Sequence, residues 1–201
     1  MPDGSEHVLT DILAPGLHVV VVGTAVGNVS AREGYYYSHG QNSFWRRLFL
    51  AGLTDVILRP KDELKLLEYG VGVTDLNETV AQGHNRGLAY DHQGFLDRVL
   101  PLTPAWVVFN GAEHAKKHAR FNGHRCDGFG VQEWKLGESR VFVAPGSSPQ
   151  VRDARLCKDS AGARRAAIDY WLEMGQLVST SHLAAHIGAL GDVRVGDTDR
   201  Q

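Results

Sequence analysis

Cysteine is scarce: 201 residues contain two, Cys126 and Cys157. Two thiols exclude a disulfide framework and a four-cysteine zinc or iron–sulfur site. Long apolar runs are missing as well. No stretch approaches the roughly 20 residues that span a bilayer, and Met1–Thr10 is polar and acidic rather than signal-like. An excess of either charge is also lacking, with a formal net charge of −2. That value does not argue for nucleic acid and does not exclude it, because a local basic surface does that work on a near-neutral protein. A cytoplasmic protein without a membrane partner is the expectation.

What is present is ordinary for a globular protein: 43% hydrophobic and 22% charged residues. The length suits one domain over 1–201, with residues 1–10 and 191–201 as mobile tails. Leu17–Val22 (LHVVVV) reads as a strand buried on both faces. Gly70–Leu76, Ala105–Phe109, Gln132–Leu136 and Arg140–Val143 read as further strands. Helical patterns fall over Asn42–Ala51, Lys61–Tyr69, Phe95–Leu100, Ala112–Arg120 and Ala161–Met174, with another at Leu183–Leu190. The alternation predicts an α/β fold, a three-layer α/β/α sandwich around a mostly parallel sheet. Ligands bind at the carboxyl ends of such strands. Three loops of unusual composition sit there and are expected to converge: Gly23–Gly40, Asp75–Asn85 and Ala144–Arg152.

The first loop opens with Gly23-Thr24-Ala25-Val26-Gly27, a small-residue turn that lets backbone approach a ligand. It lacks the Lys-Ser/Thr of a nucleotide P-loop and the spacing of a dinucleotide fingerprint. Tyr35-Tyr36-Tyr37 follows. Three consecutive tyrosines in a loop cannot all face a core, so at least one meets a surface or a pocket. There an aromatic face stacks on a base or simply clamps the loop.

These features, with His39, Asn42, Phe44 and Trp45, form a strand, a Gly-x-x-x-Gly turn, an aromatic loop and His-x-x-Asn-x-Phe-Trp. The pattern resembles the mismatch-specific (thymine/uracil) branch of the uracil-DNA glycosylase superfamily. Asp11–Leu17, Gly52–Thr54, Tyr69–Thr74 and Ala144–Ser148 extend the likeness over about residues 11–175. The resemblance implies a monofunctional enzyme that flips uracil out of DNA and hydrolyses its N-glycosidic bond, leaving an abasic site. It implies no cofactor or metal, a DNA partner containing uracil, a monomer, and action at the bacterial nucleoid.

One position departs from the family pattern. The turn position that usually carries a water-holding Asn is Ala25, and a methyl group cannot orient water. Asp75, at the predicted end of Gly70–Leu76, is the preferred replacement. It can orient or deprotonate water for attack at C1′, or stabilise an oxocarbenium-like sugar. The plain alternative is that Asp75 caps a turn. Asn77, Glu78, His84 and Asn28 are the other candidates.

The resemblance carries further roles. Tyr37 takes the place of the base-stacking aromatic, with Tyr36 as the neighbouring alternative, and the backbone of Thr24 and Ala25 borders the base. Asn42 either reads the pyrimidine edge or caps the helix behind it. His39 is expected to be structural. In the closing loop, Gly146, Ser147 and Ser148 suit phosphate contacts, unless the serines only form a polar turn. Gln150 or Arg152 fills the gap left by the base or holds the opposite strand. Between Gly146 and Arg165, five basic residues face two acidic ones. His114 and His118 lie i, i+4 apart, but no third ligand has metal-site spacing. The competing function is a binding module for damaged or abasic DNA, with Ala25 marking lost chemistry.

Overall fold

The computed structural model describes residues 7–83 and 87–195. A five-stranded sheet has the order β2-β1-β3-β5-β4. Its strands are β1 (Val19–Val26), β2 (Val71–Ala81), β3 (Trp106–Asn110), β4 (Gly130–Leu136) and β5 (Ser139–Ala144). Pairs β1–β2, β1–β3 and β3–β5 are parallel, and β4 closes the edge antiparallel to β5. The β-branched runs in β1, β3 and β5 suit strands buried on both faces.

Among the described residues, five α-helices flank the sheet: α1 (Asn28–Glu33), α2 (Phe44–Leu50), α3 (His92–Val99), α4 (Ala112–Phe121) and α5 (Ala167–Val195). Strand alternation sorts the side chains into two cores. Val19, Val21, Val71 and Val73 pack with Phe44, Leu48, Trp171 and Met174 beneath α2 and α5. Val20, Val22 and Leu76 pack with Phe95, Val99, Ala115 and Ala119 beneath α3 and α4. This is the expected three-layer α/β/α arrangement.

Several boundaries differ from expectation. β2 does not stop at Leu76 but runs to Ala81, so Asp75 lies within the strand. Distant partners extend it: Ala25 and Val26 of β1 on one side, and Val8 N–H donating to the Glu78 carbonyl at 2.7 Å on the other. The predicted N-terminal tail therefore covers a sheet edge from Val8 onward, with Ile12 bridging to Val73. Pro60–Tyr69 is 3-10 rather than α-helical.

The stretch expected as one helix from Ala161 begins as a hairpin of β6 (Leu156–Lys158) and β7 (Arg164–Ala166). Asp159 Oδ1 accepts the Ala163 N–H, and Gly162 at φ 90 closes the turn. Asp169 then accepts the Ala166 N–H, and α5 starts at Ala167. It runs on through 183–190, so the two predicted helices are one. His84, Asn85 and residues 1–6 and 196–201 lie outside the described residues. No described helix is long and apolar enough to cross a membrane.

Candidate active site

In the register of the parallel pair, Gly23 of β1 stands opposite Asp75 of β2. Alternation explains which way Asp75 faces. Val71, Val73 and Asp75 share one face of β2, and Val71 and Val73 belong to the core that also holds Phe44. Gly23 makes the approach possible: a Cβ there would lie 2.0 Å from Asp75 Oδ1 and 3.2 Å from Tyr37 Oη. Only glycine leaves that space open.

Above this point lies a cavity of about 870 Å³. It is bordered by the 23–27 turn, the tyrosine loop, Asp75, Asn110 and the closing loop. All three predicted loops thus contribute to its border, the second through Asp75 within β2 and through Gln82 and Gly83 just beyond it. Asp75 is 3% exposed, and its Oδ2 has no hydrogen-bond partner. Burial, then the nearby Asp11 charge, pushes its pKa up to about 8, while Arg98 pulls the other way. A carboxyl poised near neutrality suits proton transfer at physiological pH.

Behind Asp75, Arg98 gathers the charges. Its Nε donates to Asp11 at 3.0 Å, its Nη1 lies 3.0 Å from Glu78, and its Nη2 donates to the Asp75 carbonyl at 3.1 Å. Glu78 is therefore tied to Arg98 rather than open to the cavity. Asn77 is also occupied: its Oδ1 accepts the Thr79 and Val80 N–H groups.

The tyrosines divide the labour. Tyr36 is 3% exposed, its hydroxyl donates to Asp11 at 3.4 Å, and it belongs to the core while still bordering the cavity. Tyr37 reaches the site with one ring face stacked on Phe44, at 3.9 Å between centroids. Its φ of 52 is left-handed, unusual for a bulky residue. Asn42 borders the cavity while its Oδ1 accepts the Phe44 N–H at 3.0 Å, one residue ahead of the N-cap Ser43, so that oxygen serves the start of α2. His39 accepts the Gln41 N–H within its own turn.

A family model described as the uracil DNA glycosylase superfamily matches residues 10–171. The chain belongs to the uracil DNA glycosylase superfamily. A solution NMR structure from Methanosarcina acetivorans, itself only provisionally assigned as a uracil DNA glycosylase, superposes with a TM-score of 0.55 at 18% identity. The match covers 85% of this chain and 96% of that one. At that identity the likeness speaks for the fold.

In this glycosylase-superfamily chain, two residues without a predicted role fix the closing loop. Asn110, at the end of β3, donates to Ser147 Oγ and accepts the Ser147 N–H, both at 2.9 Å. The Ser147 carbonyl in turn accepts from Ser43. Ser147 is thus a buried pin, whereas Ser148, Gln150 and Arg152 are exposed and available to a ligand. Arg47, fully buried, donates to the carbonyls of Pro145, Gly146 and Val151 and to Asp153.

Arg155 and Lys158 of the hairpin segment also border the cavity, adding positive charge at its mouth. The paired histidines point to separate partners. His114 Nε2 meets the Val22 carbonyl, and His118 meets His92 and Asn122. Burial lowers the pKa of His114 to about 4 and that of His118 to about 3, keeping both neutral.

Proposed function

We propose that this protein is a monomeric uracil-DNA glycosylase of the mismatch-specific type, in which Asp75 supplies the function absent from Ala25. The observation that carries this reading is the buried Asp75 carboxyl facing the cavity across Gly23. In this reading the exposed Ser148, Gln150 and Arg152, with Arg155 and Lys158, hold the DNA backbone and fill the gap in the duplex. Gly146 and Ser147 shape that loop from within.

The flipped uracil enters beside the backbone of Thr24 and Ala25 and stacks on the open face of Tyr37. Such stacking contributes about 1–3 kcal/mol per base, enough to offset much of the few kcal/mol that extrusion costs. Asn42 keeps its amide Nδ2 for the pyrimidine edge, since Oδ1 serves α2. As the C1′–N1 bond breaks, the bonding pair leaves with the base. Asp75, ionised, stabilises the cationic sugar and takes a proton from the attacking water. Preorganised charge of this kind is typically worth several kcal/mol.

The test is a panel of oligonucleotides, each with one lesion: uracil opposite G, uracil opposite A, uracil in a single strand, thymine opposite G, and hypoxanthine. Alkali-labile breaks at uracil in chelator-treated buffer, with multiple turnover, are expected. Retention of the damaged duplex without any cleavage would instead identify a binding module.

A further inference from the structure

We propose that the Tyr37 hydroxyl is a second holder of the attacking water, paired with Asp75, in addition to the ring serving as a platform for the base. This rests on the glycosylase reading and adds a catalytic residue to it.

Three observations meet at one point. Asp75 Oδ2 is a buried polar atom without a hydrogen-bond partner, and Tyr37 Oη, also buried, has beside it only the Asn110 side chain, whose amide is already bonded to Ser147. An unsatisfied buried polar group costs about 1–3 kcal/mol, and a carboxyl and a hydroxyl bordering one cavity suit a shared polar ligand. Tyr37 Oη and the Asp75 carboxyl also border the same small volume above Gly23, where a Cβ would lie 3.2 Å from the hydroxyl and 2.0 Å from Oδ1. A water needs two to four polar partners to be held in place, and these oxygens provide them.

The Tyr37 backbone, finally, is left-handed at φ 52, a conformation that costs roughly 1–2 kcal/mol for a non-glycine residue. Stacking on Phe44 fixes the ring, so the strained backbone delivers the hydroxyl to a defined place. Burial, then Asp75, raises the Tyr37 pKa, with Asn110 opposing, so the phenol stays protonated. Within the turn, the side chain of Ala25 offers water nothing.

The step balances without a co-reactant. One O–H of the water points to the Asp75 carboxylate, and the other donates to Tyr37 Oη. The water oxygen bonds to C1′ as the C1′–N1 pair departs with uracil, and the first proton passes to Asp75. Tyr37 holds the second O–H, which remains on the sugar as the new hydroxyl.

Tyr37→Phe removes the hydroxyl and keeps the ring. The experiment is single-turnover cleavage of a single-stranded oligonucleotide with one uracil, comparing wild type, Tyr37→Phe, Asp75→Asn and the double variant. Affinity for a duplex carrying a tetrahydrofuran abasic analogue is measured in parallel. Tyr37→Phe is expected to cut the rate constant roughly 10-fold or more and leave that affinity within about twofold. The double variant is expected to be no slower than Asp75→Asn, because both groups act on one water.

Wild-type rates in Tyr37→Phe, a loss confined to affinity, or losses that multiply in the double variant overturn the assignment and leave the glycosylase reading intact. A wild type that leaves uracil in place overturns both.

Discussion

Gly23 and Asp75 face each other across the parallel pair β1–β2, and the carboxyl of one fills the space that a side chain on the other would need. The catalytic proposal depends on that complementarity, because a carboxyl pushed aside by even a methyl group no longer meets C1′.

Gly23→Ala therefore tests placement without touching the carboxyl. The new methyl collides with Oδ1 and crowds Tyr37 Oη. Uracil excision is expected to fall roughly 100-fold, the usual consequence of displacing a catalytic group by about 1 Å. Circular dichroism should report an unchanged secondary structure.

Asp75 also links pH to stability. Its folded pKa, about 8, lies above the ordinary 3.8. The folded state therefore holds a proton that the unfolded state has lost, and stability declines as pH rises from about 4 to about 8. Asp75→Asn removes this dependence. The gain in Tm of the variant over wild type should grow between pH 5 and pH 8 and level off above. Thermal melts across that range give the comparison, and Glu78, raised mainly by burial and by Asp11, loses only the smaller contribution of Asp75 in the variant.

Arg47 holds the closing loop from inside. Removing a buried charge that serves three carbonyls and Asp153 leaves those acceptors unpaired. Arg47→Met is expected to cost about 3 kcal/mol or more, a fall in Tm of roughly 10 °C for a domain of this size. Asp153→Asn, which keeps the three carbonyl contacts, should fall by less.

Much of this was legible in the chain. The β-branched runs announced the parallel strands, and Asp75 stood out as the carboxylate at the expected end of Gly70–Leu76. What escaped the sequence depends on long-range partners. The continuation of β2 through Asn77 and Glu78 looks like loop composition until β1 and the Val8 segment supply its hydrogen bonds.

Arg47 carried no expected role in the helical pattern Asn42–Ala51, yet it turns inward to carbonyls about 100 positions away. Tyr36 and Tyr37 are indistinguishable as letters, and the sequence does not show that Tyr36 is the more deeply buried of two rings that both border the cavity, or that Tyr37 alone has a left-handed backbone. The hairpin β6–β7 was hidden because Ala161–Ala167 is rich in helix formers, and its turn is set by Asp159 and Gly162.

The most direct test is excision of uracil by wild type and by Asp75→Asn under single-turnover conditions at pH 6.5, 7.5 and 8.5. Wild-type rates should rise with pH as Asp75 ionises around 8, and Asp75→Asn should lose most activity and the pH dependence together. Full activity in Asp75→Asn, with the wild-type pH profile retained, would contradict the role assigned to this carboxylate.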